Sequence, residues 1–157
     1  MNRILTLLLA IAFNISAFSQ STTTKTCEQR AVKLRESIGT ISAGLIYNTY
    51  LALGAISDAY VYKGYSVEKI NMLFDEQKAF LARIDGAVSK LVTDQSLTDP
   101  DDVHYVQDIS SILKGLQKQM EYFQDYLKDK TAARTTTYDN QRKKNWDKIA
   151  RLMDIKN

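Results

Sequence analysis

The chain has 157 residues, 45% hydrophobic and 25% charged, with one proline, six glycines and a formal net charge of +3. That length and apolar content suit one domain with a continuous core, exclude wholesale disorder, and favour long helices over a turn-rich β fold. So small a charge excess leaves no electrostatic footprint for nucleic acid, which is not expected as a partner.

Residues 1–19 read as a signal peptide. Arg3 supplies the positive end, Ile4 to Phe13 is apolar except at Thr6, and Ala17-Phe18-Ser19 offers small residues for cleavage. The expected product starts at Gln20 and is periplasmic or secreted. Residues 20–27 are polar and threonine-rich, a flexible leader, and residues 28–157 form the helical domain. Cys27 is the only cysteine, so an internal disulfide is excluded and an intermolecular one is the functional candidate. The preceding Thr24-Lys25-Thr26 does not resemble a lipoprotein signal.

The first helix is expected from Glu28 to about Lys63. Leu34, Ile38, Ile41 and Leu45 recur at helical spacing and continue through Ala52, Ile56 and Tyr60. Ser37 to Ser57 is uncharged and long enough to cross a membrane, but its serines, threonines and Asn48 favour a buried bundle helix. Gly64 is expected to stop the helix in a left-handed conformation, and Ser66 to cap the next.

The second helix carries Ile70, Phe74, Gln77, Leu81, Ile84, Val88 and Leu91 on one stripe, widened by Leu73, Phe80 and Ala87. A loop follows at Thr93 to Thr98. Asp99-Pro100-Asp101-Asp102 then opens the third helix, with a capping aspartate, a proline that wastes no amide, and carboxylates at the positive end of the dipole. Its stripe is Val106, Ile109, Leu113, Leu116, Met120, Phe123 and Leu127. A reversal is expected between Lys128 and Thr137. The fourth helix is expected to start at a Thr136–Asp139 capping pair, because Thr135-Thr136-Thr137 disfavours helix, and to anchor through Trp146, Ile149 and Met153.

Short connections between such helices predict an all-α, antiparallel up-and-down four-helix bundle of three long helices and a shorter fourth. Asp94 to Asp129 holds eight acidic residues against three basic, and Lys130 to Asn157 holds eight basic against three acidic. Mutual pairing of the last two helices is the expected use of that asymmetry.

His104 is the only histidine, which excludes the paired Glu-x-x-His ligands of di-iron bundles and all-Cys/His zinc within one chain. Haem attachment by Cys-x-x-Cys-His is excluded too, and no phosphate loop or nucleophile elbow is present. Cys27 and His104 open the first and third helices, so a partial metal site or thiol–imidazole pair with Asp101 or Asp108 is the sharpest catalytic candidate. A solvated histidine explains the same residues, and no catalytic residue, metal or cofactor is assigned.

Tyrosine is the more suggestive residue. Up-and-down topology brings Tyr60, Tyr62 and Tyr65 to the same end as Tyr122 and Tyr126, with Tyr138 nearby, as a candidate interaction surface. Arg142, Lys143, Lys144, Lys148 and Arg151 form a candidate basic face, whose flanking Trp146 also suits contact with a membrane surface. The expected function is that of an exported noncatalytic bundle acting by protein contact in the bacterial envelope or a secretion-associated assembly. Its partner would be another envelope protein or a second copy in a homodimer. The alternative is a small-ligand carrier or sensor holding a molecule between helices.

Overall fold

The computed structural model describes the backbone of residues 2–155 and the side chains of residues 26–155. The expected signal peptide, and the leader up to residue 25, lie outside the residues whose side chains are described. Among the described residues the protein is all-helical: α1 (Asn2–Val61), α2 (Val67–Thr93), α3 (Pro100–Lys128) and α4 (Ala132–Leu152), with no strand. The backbone divides into two compact units, one up to Ile41 and one from Ser42 onward.

In the first unit α1 passes through Cys27 and Glu28 without a break, where a helix start was expected. Leu34, Ile38 and Ile41 of the expected stripe are exposed there, Ile41 to 70%.

In the second unit α1 buries Ile46, Thr49, Leu53 and Ser57, a face rotated by about one residue, roughly 100°, from the expected one. Leu45 and Ala52 lie outside that face. The two hydroxyls are buried at low cost because each donates to the carbonyl four residues back, Thr49 to Leu45 at 2.8 Å and Ser57 to Leu53 at 2.9 Å. Ile56 and Tyr60 of the expected stripe pack at the margin of that face, and pattern reading, which scores threonine and serine as polar, misplaces its centre.

Helix α2 begins as expected, Ser66 Oγ accepting from the Lys69 amide at 3.3 Å, and buries Ile70, Phe74 and Leu81. Its stripe thins past Leu81, where Ile84 and Val88 are half-buried and Leu91 is exposed, and Phe80 at mid-helix is exposed too. Helix α3 starts on Asp99, whose carboxylate accepts from the Asp101 amide at 2.9 Å. All seven residues of its predicted stripe are buried, and Ile112, Gly115 and Gln119 are buried with them. The second set gives α3 two contact faces, one on α2 and one on α4. Lys78 reaches Gln124 and Ser110 reaches Asp85, so α2 and α3 run antiparallel. Gln119 meets Asn145 while Lys148 meets Ser111, so α3 and α4 do too.

The reversal before α4 occupies Asp129 to Thr131, inside the expected interval but ahead of the expected cap. Thr131 Oγ1 accepts from the Arg134 amide at 3.4 Å. Thr135, Thr136 and Thr137 lie within the helix, their hydroxyls donating to the carbonyls of Thr131, Ala132 and Ala133. Trp146 holds α4 against α1, its ring 6.3 Å from Tyr47 and 5.7 Å from Tyr50. No helix among the described residues is long and apolar enough to cross a membrane.

Candidate functional site

The α1–α2 turn shapes one end of the second unit. The amides of Gly64 and Tyr65 both donate to the Ala59 carbonyl, at 2.7 and 3.2 Å. Lys63, with φ at 59°, takes the left-handed conformation that the sequence assigned to Gly64. Glycine serves the turn differently, since a Cβ at Gly64 would stand 3.2 Å from the Ala59 carbonyl oxygen.

This turn meets the end of α3 and the start of α4. Tyr60, Tyr65 and Tyr126 line an open recess of about 570 Å³ together with Lys63 and Lys130. The Lys130 ammonium stands 5.4 Å from the centre of the Tyr60 ring, and its interaction with the Tyr60 hydroxyl pushes its pKa up. Tyr62 is 84% exposed beside the recess. Tyr60, Tyr122 and Tyr126 are half-buried against the core.

Tyr138 belongs to the interior. It is buried, its hydroxyl donates to Ser57 Oγ at 2.9 Å, and burial pushes its pKa up. Phe123 organises the rings behind the recess, with Tyr60 at 6.0 Å edge-on, Phe74 at 5.8 Å, Tyr126 at 5.6 Å and Tyr138 at 5.0 Å. In the sequence Phe123 signals only a core position. A smaller cavity of about 180 Å³ adjoins, lined by Ser57, Asp58, Phe123, Tyr126, Tyr138 and Arg142.

Comparison of the chain with family models, with curated proteins and with solved structures finds no match.

The five cations of the candidate basic face do not share one surface. Arg142 turns toward α1, where a Cβ on Gly54 would lie 3.3 Å from its Nη2. Burial acts to lower the Arg142 pKa, and Tyr50, Tyr138 and Asp58 outweigh it and hold the pKa above the ordinary value. Lys148 turns toward α3 and donates to Ser111 Oγ at 2.6 Å, whereas Lys143, Lys144 and Arg151 are exposed. Cys27 is exposed in the first unit. His104 pairs with Asp108 at 3.6 Å on one exposed face of α3. Among the described residues no three His, Cys, Asp or Glu side chains are grouped to hold a metal ion.

The tyrosine end therefore offers apolar rings with hydroxyl tips beside two ammonium groups. That is recognition chemistry: ring surface for apolar contact, hydroxyls for hydrogen bonds, and cations for acidic groups on a partner.

Proposed function

We propose that this protein is an exported, noncatalytic, antiparallel up-and-down four-helix bundle that works by contact, engaging an envelope or secretion-associated protein through its tyrosine end. The observation that carries the reading is the convergence of Tyr60, Tyr65 and Tyr126 with Lys63 and Lys130 around one open recess, next in sequence to the exposed Tyr62. Of these rings Tyr62 and Tyr65 are exposed, and exposed tyrosine beside cations is typical of interface centres. Export rests on the N-terminal sequence, and N-terminal sequencing of the protein recovered from its host tests it, with Gln20 the expected first residue.

A photo-crosslinking residue at position 62 or 65 tests the contact. One defined partner band is expected from those positions and not from Met72, an exposed apolar residue on α2. Tyr62→Ser combined with Tyr65→Ser should abolish recovery of that partner and leave the helical content unchanged. Equal recovery with the double variant sinks the proposal.

The 180 Å³ cavity beside Tyr138 and Arg142 favours a second reading, a carrier of a small polar molecule. Native mass spectrometry of the protein from its host separates the two: a reproducible added mass supports the carrier, and an empty chain supports contact alone.

A further inference from the structure

The opposite end of the second unit holds a recess of different chemistry. A cleft of about 430 Å³ has His104, Asp108 and Ser111 of α3 on one wall, and Lys148 and Arg151 of α4 on the other. Lys148 is half-buried and donates to Ser111 Oγ at 2.6 Å. Burial, with Lys144, Arg151 and Lys118 nearby, holds its pKa down, and Asp108 acts in the opposite direction. Among the described residues no carboxylate lies within ion-pair distance of Lys148 or Arg151. Asp108 is turned to His104. Arg151 Nε donates to the Asp147 carbonyl at 3.2 Å, which leaves its terminal nitrogens for another acceptor.

The geometry points to an anion-binding cleft between α3 and α4 that takes a phosphate group, held by Lys148 and Arg151 with Ser111 and His104 as further donors. A partly desolvated ammonium among like charges, with Asp108 nearby but beyond ion-pair distance, gains from a bound anion in direct contact. Phosphate fits better than carboxylate because its oxygens accept from several directions, matching donors on two facing helices. Asp108 is the one wall group that repels such a ligand, and it keeps affinity modest. Free phosphate esters and phospholipid headgroups present the same group. This inference stands apart from the tyrosine-end reading and uses none of its residues.

Amide chemical shifts of the isotope-labelled protein, titrated with inorganic phosphate at constant ionic strength, test it. Saturable shifts are expected at Ser111, Lys148 and Arg151, with affinity about tenfold weaker in Lys148→Gln. Asp108→Asn should tighten binding severalfold, a change of sign that damaged folding does not mimic. Shifts that never saturate, or saturable shifts that both variants leave unaltered, overturn the proposal. Cosedimentation with phosphatidylglycerol vesicles but not phosphatidylcholine vesicles, lost in Lys148→Gln, assigns the phosphate to a lipid headgroup. Saturable binding of inorganic phosphate without vesicle retention assigns it to a soluble ligand.

Discussion

Asn145 is a fully buried polar residue whose amide is completely engaged. Its Nδ2 donates to the Gly115 carbonyl at 3.0 Å and to Gln119 Oε1 at 2.9 Å, and its Oδ1 accepts from Gln141 Nε2 at 2.9 Å. Removing it leaves the buried Gln119 Oε1 on α3 without its donor, so Asn145→Ala should lower unfolding free energy by about 1–3 kcal/mol in denaturant titrations. Gly115 is glycine because a Cβ there would collide with Asn145 Oδ1. Gly115→Ala should therefore destabilise the parent chain yet stabilise the Asn145→Ala variant, where the collision is gone and alanine's helix preference of about 1 kcal/mol is free to act. The same sign in both backgrounds would refute this account of the close approach. Tyr138 supplies a pH dependence. Burial raises its folded pKa above that of an ordinary tyrosine, so its stabilising contribution is complete below the ordinary value. The contribution is lost as pH climbs from there through the raised folded pKa. Tyr138→Phe should flatten the alkaline fall in stability, read from denaturant midpoints at stepped pH.

At the scale of elements, legibility followed the chemistry of the buried face. Helices α2 and α3 were readable because their core contacts are Ile, Leu, Phe and Met at helical spacing and their starts carry Ser66 and Asp99. Helix α1 was misread because the stripe from Leu34 through Ile41 is exposed while Thr49 and Ser57 face the core. Leu53→Ala should cost about 2–5 kcal/mol, whereas Ile41→Ala should stay within about 0.5 kcal/mol, both by thermal unfolding. The convergence of the tyrosines at one end followed from helix order and connection length alone. The interior position of Tyr138 did not, because its partner Ser57 lies 81 positions away in sequence. The start of α4 was placed late for a different reason: threonine's low helix propensity is a weak preference, and packing of Tyr138, Asn145 and Ile149 overrides it. The cap decides between the two starts. Thr131→Ala should cost about 1 kcal/mol, and Thr136→Ala should be neutral or slightly stabilising, since alanine is the better mid-helix residue.

Across the whole molecule, the opposite charges of the last two segments suggested that α3 and α4 are held together electrostatically. Among the described residues one ion pair joins them, Arg134 to Asp125 at 3.6 Å, and both side chains are substantially solvated. A pair of that kind contributes about 0–1 kcal/mol. Two acidic side chains of α3 face partners on α3 itself, Asp125 toward Lys128 and Asp108 toward His104. In the C-terminal half of α4 the Lys148 pKa is depressed chiefly by burial and then by the like charges of Lys144 and Arg151, so repulsion along that segment is the second cause. Attraction between the helices would make added sodium chloride destabilising. Self-repulsion along α4 predicts the reverse, a melting temperature that holds or rises between about 0.05 and 0.3 M salt as the Debye length shortens. Lys144→Glu sharpens the test, because it replaces a repelling neighbour of Lys148 with an attracting one. It should raise the melting temperature at low salt, and the gain should shrink as salt is added. A melting temperature that falls with salt in the parent chain, or a Lys144→Glu variant that melts lower at low salt, would show instead that α4 is bound to α3 chiefly by charge.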